Sequence, residues 1–128
     1  MKLLIFAFLI LTSLKASQAV VPIELLYSDK YHSCTKEIIS EADAAKCLEK
    51  EIVRADKKLN TAYRKAQKRM QIFRHDDLQK IQRIWIKYRD AKCNFFYHKE
   101  SGTAGLSNAE ECRLNETILR TIELDETY

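Results

Sequence analysis

Four cysteines are the residues of this 128-residue chain best suited to covalent chemistry, Cys34 and Cys47 forming one pair close in sequence and Cys93 and Cys112 another. Thiols so placed can cross-link, hold a metal together with His32 or His98, or exchange electrons. The redox role needs a Cys-x-x-Cys motif, which the chain lacks, and the same missing spacing argues against a metal site. Four cysteines permit three pairings, and sequence alone does not choose among them. We favour Cys34 with Cys47 and Cys93 with Cys112, because each pair brackets a predicted helix junction and closes it with little chain to order. In the chain-entropy account, loops of this size contribute roughly 3 kcal/mol each.

Acid–base or nucleophilic catalysis would need an attacking group, a base and an orienting partner converging in one cleft. No spacing in the chain supplies that set. His32, His75 and His98 all fall near predicted helix ends, where capping or solvation accounts for them. Asp56 and Arg89 lie beside the apolar stripes of two predicted helices, and we read them as a structural pair in which a planar guanidinium grips a carboxylate through two hydrogen bonds. The sequence therefore assigns no catalytic residue, no metal ligand and no cofactor.

The elements that position these residues are helices. Two Gly and one Pro in the whole chain are too few for the turns of an all-β fold. A short first helix is predicted from about Asp29 to Ser40, with Tyr31, Cys34 and Ile38 on one face, continuing from Tyr27. Ser40 and Asp43 read as a capping box that opens a second helix. Its stripe runs through Leu48, Ile52, Ala55, Leu59, Ala62, Tyr63, Ala66, Met70 and Phe73, the strongest periodic signal in the chain. A turn follows over Gln71 to His75, and Asp76 and Asp77 suit the positive start of a third helix. That helix is expected to bury Leu78, Ile81, Ile84, Trp85, Tyr88 and Phe95, with the Lys92 stem laid along the core. Gly102 and Gly105 mark a flexible connection, and Ser107 with Glu110 reads as the capping box of a last helix whose face carries Cys112, Ile118, Leu119 and Ile122. Asn115 points to the same face and is expected to hydrogen-bond between helices, so the Asn115–Glu116–Thr117 sequon is read as chance. The fold class is thus all-α: a small antiparallel bundle of three long helices plus a short N-terminal one, stapled by disulfides.

Residues 1–19 read as a secretory signal, with Lys2 ahead of an apolar run from Leu3 to Leu14 and a small-x-small site at Ser17 to Ala19. The run is shorter than the roughly 20 residues of a spanning helix. Residues 20–128 then form one domain, exported to the periplasm or beyond, with no stable membrane insertion expected. The first cysteine after the cleavage point is Cys34, so lipid attachment is not expected either. Charge is unevenly spread. From Lys46 to Lys99 there are 16 Lys and Arg against 6 Asp and Glu, whereas the flanks of the exported part carry 4 against 12. The middle is basic and the ends acidic. Lys57, Lys58, Arg64, Lys65, Lys68 and Arg69 occupy the outward side of the second helix, a solvated face or a surface for an anionic polymer. Nucleic acid is disfavoured because export removes the chain from it and the aromatic residues are assigned to buried positions.

The chain also resembles a known family. Ala55, Asp56, Leu59, Asn60 and Tyr63, then Gln82, Trp85, Ile86, Tyr88, Arg89, Asp90, Ala91 and Cys93, and finally Gly102, Thr103, Cys112, Thr117, Arg120 and Leu124, are similar to the signature of the lysozyme inhibitor LprI-like N-terminal domain family. The resemblance runs from about Cys34 to Leu124 and implies a small, exported, bacterial, all-helical, disulfide-bonded domain. It implies lysozyme as a partner and steric occlusion as a mode of action. The namesake's lipid-attachment cysteine is absent here. Since lysozymes are commonly basic, the acidic segment of the last helix, with Glu110, Glu111, Glu116 and Glu123, is the favoured docking surface. The alternative is an envelope-interaction module that uses Lys57, Arg64 and Lys68 to hold an anionic polymer or a protein complex.

Overall fold

In the computed structural model, which describes residues 21–98, 100 and 102–128, a 3-10 turn (Ile23–Leu26) leads into α1 (Asp29–Thr35) and α2 (Glu41–Arg69). A second 3-10 turn (Ile72–Arg74) joins α2 to α3 (His75–Asn94), and α4 (Gly102–Thr127) completes the chain. No strand occurs among the described residues. The proposed leader, residues 1–19, lies outside them.

The second helix forms where the sequence predicts. Ser40 is extended, and its hydroxyl accepts from the Asp43 amide at 3.2 Å and donates to the Asp43 carboxylate at 2.8 Å, satisfying a free end of α2. At 29 residues, α2 is about 43 Å long. Its buried positions, Ala55, Leu59, Ala62 and Ala66, follow the expected three- and four-residue steps. Small side chains there let another helix approach closely. Phe73 does not extend the stripe: α2 stops at Arg69, and Phe73 lies exposed in the 3-10 turn.

Successive long helices are antiparallel, so α2 and α4 run parallel. The widest contact joins these two, followed by α3 with α4 and α1 with α2. Two clusters of buried residues stack along the bundle. One gathers Leu59, Ala62, Ala66, Leu78 and Leu124, flanked by Tyr63, Met70, Trp85 and Tyr128. The other joins Tyr27, Ala55 and Leu114, flanked by Leu48, Ile52 and Ile118. Both disulfides form in the favoured pairing, with Cα separations of 5.8 Å for Cys34–Cys47 and 5.4 Å for Cys93–Cys112.

Three expectations are corrected. The first helix ends at Thr35 rather than Ser40, because Ser40 must be extended to cap α2 and residues 36–39 are used for the connection. The last helix begins at Gly102, five residues before Ser107, and Gly105 is buried inside it. Of the two glycines only Gly102, at the start of α4, has a positive φ, 58°, a conformation glycine adopts without steric penalty. The face of α3 is rotated. Leu78 is buried and Trp85 partly so, but Ile84, Tyr88 and Phe95 are largely exposed and Ile81 borderline. The line that meets α4 runs instead through Leu78, Gln82, Trp85, Arg89 and Cys93. It is held by the Cys93–Cys112 disulfide, by Arg89 Nη1 donating to Thr117 Oγ1 at 3.3 Å, and by Arg120 Nε donating to Gln82 Oε1 at 3.0 Å.

The face of α4 shifts for the same reason. Ala109, Leu114, Thr117, Arg120 and Leu124 are buried, whereas Leu119 is half exposed. Arg120 is 3 % exposed; its guanidinium lies 5.9 Å from the Trp85 ring centroid and 5.6 Å from that of Tyr128, and it pairs with Glu123 at 2.7 Å. Arg69, read as one of the outward cations, donates instead to backbone oxygens of Leu124 at 2.6 Å and Tyr128 at 2.8 Å. It thereby satisfies carbonyls that the end of a helix leaves unpartnered.

Candidate partner-binding surfaces

Four glutamates of α4 were the favoured docking surface, and the helix turns them in different directions. Glu116 donates nothing to a partner surface in the free chain: it accepts from Lys92 Nζ at 2.7 Å, and its side chain is only 15 % exposed. This pair explains Lys92 better than a stem laid along the core, and the hydrogen bond that Lys92 donates to Glu116 raises the Lys92 pKa. Glu123 pairs with the buried Arg120. Glu110 pairs with Arg113 one turn along α4. Glu111 is exposed and makes no ion pair among the described residues.

Glu110 and Glu111 border a shared feature. Over their first halves α2 and α4 part to leave two depressions, of about 590 and 310 Å³, that have Ala45, Leu48, Leu106 and Ser107 in common. The larger carries Glu41 and Glu111, the smaller Glu49 and Glu110. Among the described residues, none that lines either depression is a lysine, arginine or histidine. Glu41 and Glu49 were not singled out from the sequence, because nothing local in α2 places them opposite α4.

The N-terminal arm closes one side of this region. Glu51, 3 % exposed, accepts from the Ser28 amide at 2.7 Å, the Ser28 hydroxyl at 2.6 Å and Arg54 Nε at 2.7 Å. Burial alone pushes its pKa up, but the two Ser28 hydrogen bonds and the Arg54 guanidinium outweigh burial and hold it below the ordinary glutamate value. Tyr27 OH donates to Asn115 Oδ1 at 2.6 Å, so Asn115 bonds the extended N-terminal arm and not another helix as expected. Burial raises the pKa of Tyr27 and of Tyr31, and the charge of Glu111 raises both further. Tyr31 itself lines the larger depression.

The basic surface sits farther along the same seam. Lys57, Lys58 and Lys65 line a groove of about 300 Å³ with Thr61, Thr121 and Asp125. Arg64 and Lys68 are exposed nearby, and none of Lys57, Arg64 and Lys68 makes an ion pair among the described residues. Asp56 and Arg89 approach across the bundle, but through one contact of 4.0 Å, not a two-pronged grip. Arg89 makes a shorter contact with Asp90, at 2.9 Å, and lies 5.2 Å from the Trp85 ring centroid.

Among the described residues no group of three or more His, Cys, Asp and Glu is arranged to hold a metal, and no helix is long and apolar enough to cross a membrane. His32 lies within the last turn of α1 and His98 beyond α3, and neither is grouped with the cysteines, both pairs of which are oxidised. His75 opens α3 with Nε2 buried and without a hydrogen-bond partner among the described residues, in place of the solvated or capping role expected of it.

No curated protein and no solved structure matches the chain. The family model described as "Lysozyme inhibitor LprI" matches residues 34–124, a span that begins at the first cysteine and ends at the buried Leu124. With most of its length covered, both disulfides inside the match and the helical bundle in place, the chain belongs to the LprI lysozyme inhibitor family.

Proposed function

We propose that this protein is exported and acts without catalysis, by binding lysozyme and occluding its cleft. The single observation that carries the reading is the family match over residues 34–124. A disulfide-stapled bundle suits steric inhibition, since a rigid partner loses little conformational freedom on docking. Glu110 and Glu111 border the depressions and offer the negative surface that a basic enzyme would meet, whereas Glu116 and Glu123 lie outside them, paired with Lys92 and Arg120. Titrating the oxidised protein into a lysozyme assay of cell-wall hydrolysis tests the proposal. Saturable loss of hydrolysis, weakening with added salt, is the expected outcome. Full activity at large molar excess rejects the reading for the enzyme used.

A second reading rests on the lysine-lined groove of α2: the protein holds an anionic envelope polymer. Charge reversal at Lys57, Arg64 and Lys68 together is then expected to abolish retention on that polymer while helix content is unchanged. Retention that survives the triple change removes this reading.

A further inference from the structure

We propose that the cleft between the first halves of α2 and α4 is a docking site for a cationic protein segment that carries a bulky apolar side chain. The inference rests on the reading of this chain as a protein-binding module, and it names the surface and the chemistry of what docks there. The floor is apolar: Ala45, Leu48, Ile52 and Leu106 border the two depressions, and Leu106 is half exposed, so its burial is left for a partner to complete. Removing such surface from water drives association without specifying direction. Direction comes from the rim. Glu41 and Glu49 stand on α2, Glu110 and Glu111 on α4, and among the described residues no cation lines the cleft between them. Arg113 offsets Glu110 in part, which leaves a net negative ring around an apolar trough.

A neutral apolar ligand would satisfy the floor and leave the ring without a counter-charge. An anionic one would be repelled by it. A segment with one or two aliphatic or aromatic residues between lysines or arginines fits both, the anchor entering between Leu48 and Leu106 and the cations reaching the glutamates. This is groove recognition of the kind helical surfaces offer to amphipathic segments. Both disulfides lie in this half of the bundle and keep the walls in place before a partner arrives.

The probe is a fluorescent synthetic peptide alternating lysine and leucine, titrated into the oxidised protein and compared with an all-lysine peptide of equal charge. The lysine–leucine peptide is expected to bind at least tenfold more tightly. Glu49→Lys with Glu111→Lys is expected to weaken it at least tenfold, and so is Ala45→Trp, which fills the cleft without changing charge. Asp125→Lys with Glu126→Lys, an equal charge change at the far end of α4, is expected to leave binding within twofold. Equal binding of both peptides, equal losses from the two double reversals, or undiminished binding to the Ala45→Trp protein would overturn the assignment. The lysozyme assay reports separately. Peptide binding lost on cleft substitution, in a protein that never inhibits lysozyme, supports this site and removes lysozyme as its partner. Inhibition that is intact in every cleft variant keeps lysozyme and overturns the cleft.

Discussion

The α2–α4 seam is built in two ways. In its second half, Ala62 and Ala66 meet Leu124 so closely that all three are almost wholly buried, and lysines border a shallower groove on the outer side of the seam. In its first half the helices stand apart over Leu48 and Leu106, glutamates line the opening, and both disulfides lie nearby. Covalent ties and side-chain packing both hold helices together, so the half that carries the staples can leave more of its seam open than the half that relies on packing alone. The open half is where a surface for a partner can be kept without loss of the fold.

The largest test of this contrast is truncation on either side of it. Leu124→Ala is expected to cost about 2–5 kcal/mol, the range for deleting a buried leucine, and Leu106→Ala no more than about 0.5 kcal/mol. Urea denaturation midpoints measure both, and equal costs would break the distinction. Next in size, replacing Cys34 and Cys47 together by alanine is expected to cost about 3 kcal/mol. Hydrogen exchange should then quicken in α1 and the first half of α2 while amides near Leu124 keep their protection. If both halves open together, the seam is one cooperative unit.

A smaller effect is expected at the far end. Arg69→Gln removes a charged donor from the backbone oxygens of Leu124 and Tyr128, and a loss of about 1–2 kcal/mol with faster exchange confined to the last turn of α4 is predicted. The smallest effect is limited to acid solution. The folded-state pKa of Glu51 lies below its ordinary value, so the stability it contributes is present above about pH 4.3 and is lost as pH falls through the lower folded value. Glu51→Gln should flatten that part of the stability–pH profile and detach the arm at Ser28, read as faster exchange of the Ser28 amide.

Helix content, the Ser40 cap and the pairing of the cysteines were legible because each depends on residues close in sequence. The α2 stripe was legible too, since its buried positions, Glu51 apart, are apolar and regularly spaced. Helix α3 was misread because its contact line includes Gln82 and Arg89, polar residues half-buried against partners on α4, while apolar Ile84, Tyr88 and Phe95 face outward. Apolar periodicity finds a stripe but not which flank of it meets the next helix. Arg120 escaped notice for a related reason: a guanidinium is buried only where rings such as those of Trp85 and Tyr128 accept it, and Tyr128 reaches it from the end of its own helix. The cleft could not be read at all, as Glu41 and Glu49 become neighbours of Glu110 and Glu111 only when α2 and α4 are laid side by side.

The bracket from Arg69 to the end of α4 has a consequence for how the molecule comes apart. With sulfur bonds confined to the opposite half, this non-covalent latch guards the end from which α4 can swing free without bond cleavage. Thermal breathing therefore starts at the lysine-rich tip and runs toward the bridges, like a zipper with its stop sewn shut, and a protease would nick the tip long before it could reach the glutamate-ringed trough.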